Sequence, residues 1–215
     1  MKPPSRRSPP WRIARAVALA GCAMLVLTLA ACSMSRPSPV KRTYLLEPAA
    51  PAAVASPKPA ALRVGSVNVG APYRGKAFVY RQDELKFEAD YYNEFFVAPA
   101  AMLSEATARA LASAGVFRRV IAPGAADEGD YVLDGFAADL YGDARDPAKP
   151  AAVLSITYYL SRANALVPAV IWSKEYRQRV SLAEANPEAL ARAWNTALAA
   201  ILADLSRDLA AADLK

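Results

Sequence analysis

The sequence of 215 residues is 54% hydrophobic and 21% charged, a composition typical of a globular protein. Its formal net charge of +6 comes mostly from the first 31 residues, which contain five basic residues and no acidic one. The rest of the chain carries a net charge of only +1, which excludes the clustered basic surface of nucleic-acid-binding proteins.

Residues 1–31 have the pattern of a bacterial export signal. A basic, proline-rich start is followed at residues 16–31 by an uncharged apolar run that ends in small residues. This run is shorter than the roughly 20 residues that a membrane-spanning helix needs. We therefore expect residues 1–31 to be a lipoprotein signal peptide that is removed after export.

Cys32 is the predicted lipidation site. The sequence LAAC at 29–32 matches the bacterial lipobox, in which the cysteine thiol receives diacylglycerol before cleavage. A second match, LAGC at 19–22, places Cys22 behind too few apolar residues for a signal peptide. Ser33, where Asp is typical of inner-membrane retention, favours the outer membrane. We expect Cys32 to anchor the chain at the periplasmic face of a bacterial membrane through stably buried acyl chains.

The chain after Cys32 divides into a spacer and one domain. Residues 32–60 are rich in Pro, Ala and Ser and predict a semi-rigid tether, with a short strand near residues 43–47. Residues 61–215 have the length of a single domain. Because Cys22 and Cys32 are the only two cysteines, this domain contains no disulfide and no thiolate metal site.

The domain is predicted to follow the order strands, helix, strands, helix. An alternation that shifts register at Gly65-Ser66 predicts a bulged first strand at 62–69. Helical spacing begins at Pro99 and ends before Gly115, and Asn186 is placed to cap the last helix. Further strands are predicted at 76–81, 85–88, 116–121, 130–141, 151–162 and 168–180. We expect an α/β fold of the α+β type, with two main helices packed on a mixed, mostly antiparallel sheet.

The sequence offers little that indicates catalysis. It contains no histidine, which excludes Ser-His and Cys-His nucleophile pairs and the usual zinc sites. No P-loop or dinucleotide fingerprint is present. The densest acidic group, residues 127–130, lacks the spacing of a calcium loop and is typical of a solvated turn. We expect no enzyme activity, no cofactor and no metal.

Aromatic residues are concentrated between Tyr73 and Phe96, where 8 of the chain's 19 lie. One interpretation is a surface for lipid or for a protein partner, because aromatic side chains are enriched at interfaces. The other interpretation is cross-strand pairing and core packing. Phe95 and Phe96 cannot both point inward on one regular element. The candidate contact residues are Tyr91, Tyr92, Phe95 and Phe96.

A series of short patterns also occurs in a characteristic order after the lipobox. A segment with an aromatic pair leads into a Pro-initiated helix that contains Met102-Leu103, and an amphipathic helix ends the chain. Residues 70–77 fit this ordered set of patterns less well than the segments around them. The patterns are TYLL at 43–46, LRVGSVNV at 62–69, AFVYR at 77–81, GVFRRV at 115–120 and DYVLDGF at 130–136.

In this order the patterns resemble the ABC-type transport auxiliary lipoproteins, which are accessory lipoproteins of MCE-type lipid transport systems. The resemblance implies a non-enzymatic periplasmic component that helps an MCE-domain protein, a permease and an ATPase move phospholipids and so supports outer-membrane integrity. It implies no catalytic residues, and it carries over only Cys32 as a functional residue.

Two other functions fit parts of the sequence. A structural or assembly lipoprotein that binds peptidoglycan or an outer-membrane barrel would have the same lipobox and tether. An envelope hydrolase that uses carboxylates is the third hypothesis, and the absence of histidine argues against it.

Overall fold

Eight strands and two long helices make up the described part of this computed structural model, residues 40–163 and 169–214. The predicted signal peptide, Cys22, Cys32 and the turn at 164–168 lie outside the described residues. A short 3-10 helix at Ala71–Tyr73 follows the second strand. The main elements are β1 (Arg42–Tyr44), β2 (Lys58–Val69), β3 (Ala77–Arg81), β4 (Phe87–Phe95), α1 (Pro99–Ala114), β5 (Phe117–Ile121), β6 (Tyr131–Asp143), β7 (Ala151–Arg162), β8 (Val170–Ser181) and α2 (Pro187–Ala211).

The strands form one sheet around β6. On one side β6 pairs in parallel with β2 and, further along, with β3; on the other side it pairs antiparallel with β7 over its whole length. β8 extends the sheet beyond β7, whereas β4 with β1, and β5 beside β2, extend it in the other direction. The long ladders β6–β7 and β7–β8 are antiparallel. The predicted mixed, mostly antiparallel sheet with two helices is confirmed.

The bulge predicted in β2 is confirmed, because the pairing register of β2 with β6 shifts between Val64 and Val67. The Asp134 carboxylate fills the gap and accepts a hydrogen bond from the Ser66 backbone N–H at 3.2 Å. A Cβ on Gly65 would lie 2.1 Å from that same oxygen. A larger residue at position 65 would therefore displace the Asp134 carboxylate from its hydrogen bond in the bulge.

The end of α1 and the start of α2 lie where the sequence predicts them. Gly115 follows α1 with φ of 64°, a left-handed conformation that glycine adopts without steric cost. At the start of α2, the Asn186 side chain accepts a hydrogen bond from the Ala189 backbone N–H at 2.8 Å. These caps satisfy backbone groups that the helices themselves leave unpaired.

The helices cover one face of the sheet and enclose the core. Trp194 of α2 is fully buried and packs against Phe78 and Phe95, with ring centroids 4.9 and 5.3 Å away. On the other helix, the Thr107 hydroxyl lies 2.9 Å from the Tyr158 hydroxyl of β7. Each helix is thus tied to the sheet by buried aromatic packing or by a buried hydrogen bond.

The Pro/Ala-rich segment contacts the folded part well before residue 61. Leu46 is buried, the Glu47 backbone N–H donates to Asn195 Oδ1 of α2 at 2.6 Å, and the Val54 N–H donates to the Ala114 carbonyl at 2.8 Å. β2 itself begins at Lys58. Several residues of the region predicted as tether therefore contact the sheet and helices, and the boundaries 1–31, 32–60 and 61–215 stay predictions.

Candidate functional site

β4 contains a large bulge where it pairs with β3. Between two paired positions the chain advances two residues along β3, from Ala77 to Val79, but five residues along β4, from Ala89 to Glu94. The four residues between these positions, 90–93, are called the tyrosine bulge below. Because the bulge interrupts the alternation of a strand, neighbouring Tyr91 and Tyr92 are both exposed, by 70% and 47%.

Asp90 holds the tyrosine bulge in shape. Its Oδ1 accepts hydrogen bonds from the backbone N–H groups of Tyr92 at 2.8 Å and Asn93 at 3.0 Å. Its Oδ2 accepts from Asn93 Nδ2 at 2.9 Å and from the Tyr80 hydroxyl at 3.3 Å. Burial, reinforced by the Asp90 charge, raises the pKa of Tyr80 above its usual value. The Tyr80 hydroxyl therefore stays protonated and keeps donating.

β1 packs beside the bulge and adds a basic side chain to it. The Lys41 ammonium forms an ion pair with Glu94 at 2.9 Å and lies 5.6 Å from the centroid of the Tyr91 ring. The Tyr91 and Tyr92 rings meet edge to face, 5.0 Å apart. The result is an exposed aromatic pair, supported from behind by Asp90 and from the side by Lys41.

A cleft of about 470 Å³ lies next to the bulge. It is lined by Tyr91 and Tyr92, by the start of α2 at Pro187, by the end of β6 at Asp143 and by the start of β7 at Ala151. This volume falls within the usual range of ligand pockets. Chemically, the cleft offers tyrosine rings and hydroxyl groups beside apolar residues such as Leu182 and Leu190.

Asp143, at the end of β6, lines the cleft with a side chain that is 2% exposed. Arg145 holds it with two hydrogen bonds, Nε to Oδ1 at 2.9 Å and an Nη2 to Oδ2 at 2.7 Å, and Arg179 of β8 donates to Oδ2 from the other side. The Arg145 hydrogen bonds, followed by those from Arg179, hold the pKa of Asp143 well below its usual value. Asp143 therefore stays ionised and fixes the loop after β6 to β8.

The structure separates the four aromatic residues that the sequence selected. Tyr91 and Tyr92 form one exposed pair, whereas Phe96 is 58% exposed directly after the end of β4, where its N–H donates to the Tyr44 carbonyl. Phe95 is 1% exposed and belongs to the core, so it is not part of the surface. Phe95 packs inward because its ring completes the cluster with Trp194.

Sequence reasoning missed the residues that shape this surface. Asp90 and Asn93 flank the tyrosines, and Asx residues in such positions are a known signal for local side-chain-to-backbone hydrogen bonds. That signal was available in the sequence. The role of Asp143 in fixing the loop after β6 depends on Arg179, which is 36 residues away. No local sequence pattern indicates this pairing.

The acidic segment at 127–130 has structural partners at both ends. Asp130 accepts a hydrogen bond from the Ala61 N–H at 2.7 Å, and Asp127 pairs with Arg119 at 3.3 Å. Within residues 40–163 and 169–214, no cluster of three metal-ligating side chains occurs. In the same part of the chain, no helix has the length and apolarity needed to cross a membrane.

A family model described as the ABC-type transport auxiliary lipoprotein component matches residues 44–206, which is more than half of the chain. The chain belongs to this family. The match runs from the end of β1 into α2 and includes the tyrosine bulge and the cleft. Membership implies association with an ABC transport system and a membrane-associated location in the cell envelope. The suspected resemblance is confirmed.

Solved structures share the fold at low sequence identity. Protein XCC0632 from Xanthomonas campestris superposes with a TM-score of 0.67 at 17% identity, covering 76% of this chain and 92% of that one. An uncharacterised protein superposes with a TM-score of 0.61 at 15% identity, covering 79% and 99%. At this identity the likeness concerns the fold alone. No curated protein sequence matches the chain.

Proposed function

We propose that this chain is a non-catalytic accessory lipoprotein of an MCE-type phospholipid transport system, and that it supports the integrity of the outer membrane. The observation that carries the proposal is the family match over residues 44–206 in a chain whose LAAC motif ends at Cys32. The sequence contains no nucleotide-binding motif, so the energy for transport comes from a separate ATPase. The partners are an MCE-domain protein, a permease and that ATPase.

The proposed anchor is the acylated Cys32 at the outer membrane, with the domain in the periplasm. A Cys32→Ala variant tests it: the expected result is loss of acylation and loss of the membrane fraction, measured by mass spectrometry of the N-terminal peptide and by fractionation. Cys22→Ala is the matched control, because it removes the competing lipobox, and it should keep both. Normal acylation of the Cys32→Ala variant would show that the anchor is misassigned.

The proposed partners are tested by affinity purification from crosslinked membranes. The expected result is co-purification of an MCE-domain protein, a permease and an ATPase with the wild-type chain, and much less with Cys32→Ala. Recovery of barrel-assembly proteins or of peptidoglycan in their place would instead favour a structural or assembly lipoprotein. Deletion of the chain should also raise the sensitivity of cells to detergents that the outer membrane normally excludes.

A further inference from the structure

The tyrosine bulge presents two large aromatic rings to solvent in a fixed orientation. Tyr91 and Tyr92 are exposed, yet the backbone N–H groups of Tyr92 and Asn93 are held by the Asp90 carboxylate. A tyrosine ring is apolar along its body and polar at its hydroxyl, and such rings are enriched where membrane meets water. The bulge therefore has the chemistry of a membrane-interface contact.

The chain enters the fold directly beside this bulge. Lys41 begins the compact unit that contains the domain, and its ammonium group lies 5.6 Å from the Tyr91 ring centroid. Eight residues lie between Cys32 and Lys41, so nine peptide units join the two. Even fully extended, these residues reach at most about 32 Å. An anchor at Cys32 thus keeps the Lys41 end of the domain near the membrane surface.

The bulge lies on the sheet edge at which the chain enters the fold. That edge is formed by β4 and β1. An anchor at Cys32 therefore holds this edge, with Tyr91 and Tyr92, close to the bilayer to which it is attached.

Charges near the bulge are compatible with a membrane surface. Between Cys32 and Glu47 the sequence contains Arg36, Lys41 and Arg42 but no acidic residue, and basic residues next to an anchor are attracted to anionic lipids. Glu94 compensates the Lys41 charge, and exposed Glu88 on the same strand opposes the attraction. The tyrosine rings, rather than the net charge, must therefore supply most of the affinity for the membrane.

We propose that the tyrosine bulge inserts Tyr91 and Tyr92 into the headgroup region of the bilayer to which Cys32 is attached. This inference rests on the proposed function, because it requires acylation of Cys32. The contact fixes the orientation of the domain and brings the neighbouring cleft, which Tyr91 and Tyr92 also line, next to the membrane surface. The partner is lipid, and a second protein is not needed.

The experiment uses the full acylated protein in vesicles of phosphatidylethanolamine and phosphatidylglycerol. Once Cys32 is acylated and Cys22 is removed, a Tyr92→Cys variant has a single free thiol, which is labelled with an environment-sensitive fluorophore. Ser113→Cys is the matched control, since Ser113 is exposed at the end of α1, which packs on β2 and β5. Mass spectrometry confirms acylation, and urea unfolding confirms that both variants fold.

The proposal predicts a blue shift of the label at position 92 and its quenching by doxyl-labelled lipids, with neither effect at position 113. A further Tyr91→Ser substitution should reduce the quenching at position 92 several-fold. Acylated protein whose label at position 92 stays in water would overturn the inference and leave the anchor intact. Failure of acylation at Cys32 would overturn both proposals. Protection at position 92 only in native membranes, and not in pure lipid vesicles, would identify a protein partner and overturn the lipid contact.

Discussion

Two parts of β4 place aromatic residues in opposite environments. At the tyrosine bulge, Tyr91 and Tyr92 lie side by side in solvent, whereas Phe95 is buried between Phe78, at 4.7 Å, and Trp194, at 5.3 Å. Only two residues lie between Tyr92 and Phe95. The comparison teaches that pairing register, rather than hydrophobicity, decides which aromatic residues of this strand are available for contact. The extra residues opposite β3 turn both tyrosines outward, and regular pairing of β4 with β1 resumes at Asn93.

The strongest way to test this comparison is to truncate both kinds of ring. Phe95→Ala should lower the free energy of unfolding by about 3–5 kcal/mol, because it leaves a cavity beside Trp194. Tyr91→Ala on the same strand should change it by less than about 0.5 kcal/mol. Urea unfolding of the two variants measures the difference. Equal losses would mean that the bulge is part of the core.

Buried and exposed carboxylates should differ in the same way, and Asp143 is the buried one. Its side chain is buried between Arg145 and Arg179, so Asp143→Asn should lower the free energy of unfolding by about 1–3 kcal/mol through loss of charged hydrogen bonds. Asp139→Asn is the matched control, because Asp139 pairs with Arg177 at a more exposed position and should cost at most about 1 kcal/mol. A larger loss in the control would contradict the assignment.

The Asp143 contribution should also depend on pH. Its pKa is lower in the folded protein than in the unfolded chain, so the folded state binds fewer protons and the contribution is present at neutral pH. It should be lost progressively as the pH falls below about 4, the usual pKa of Asp. Urea unfolding at pH 7 and pH 3 should show a smaller gap between wild type and Asp143→Asn at pH 3. An equal gap at pH 7 and pH 3 would contradict a lowered pKa of Asp143 in the folded protein.

The smallest expected effect concerns Asp90, which shapes the bulge without being part of the core. Asp90→Ala should lower the free energy of unfolding by about 1 kcal/mol and should increase amide hydrogen exchange at Tyr92 and Asn93, whose N–H groups lose their acceptor. Glu88→Ala serves as the control and should alter neither quantity. Unchanged exchange at Tyr92 and Asn93 would show that the bulge keeps its shape without Asp90.

Local features were predictable where a short stretch of sequence contains the whole physical cause. The shift of alternation at Gly65, the positive φ at Gly115 and the cap at Asn186 each involve a few neighbouring residues. The full length of β4 was not predictable in the same way. The sequence predicted a strand at 85–88, but the strand continues to Phe95, because the bulge residues follow no two-residue period.

The candidate surface was predictable only in part. The density of aromatic residues drew attention to Tyr91, Tyr92, Phe95 and Phe96, and three of these four are exposed. Sequence could not assign Phe95 to the core, because the residue that buries it, Trp194, belongs to α2 at the other end of the domain. It could not identify the cleft either, because the cleft is lined by segments from β4, β6 and α2 that are distant in the sequence.

The sequence by itself determined the order of elements, the caps of the helices and the family, because periodicity, capping residues and ordered motifs are local properties of the chain. The tertiary structure decided which aromatic residues face solvent, where Asp143 finds its arginines and how the Lys41 end of the chain comes to lie beside Tyr91. These outcomes depend on strand register and on contacts between distant segments. Such contacts exist only after the sheet has formed, and for that reason the position of the tyrosine bulge beside Lys41 could be recognised only in the folded chain.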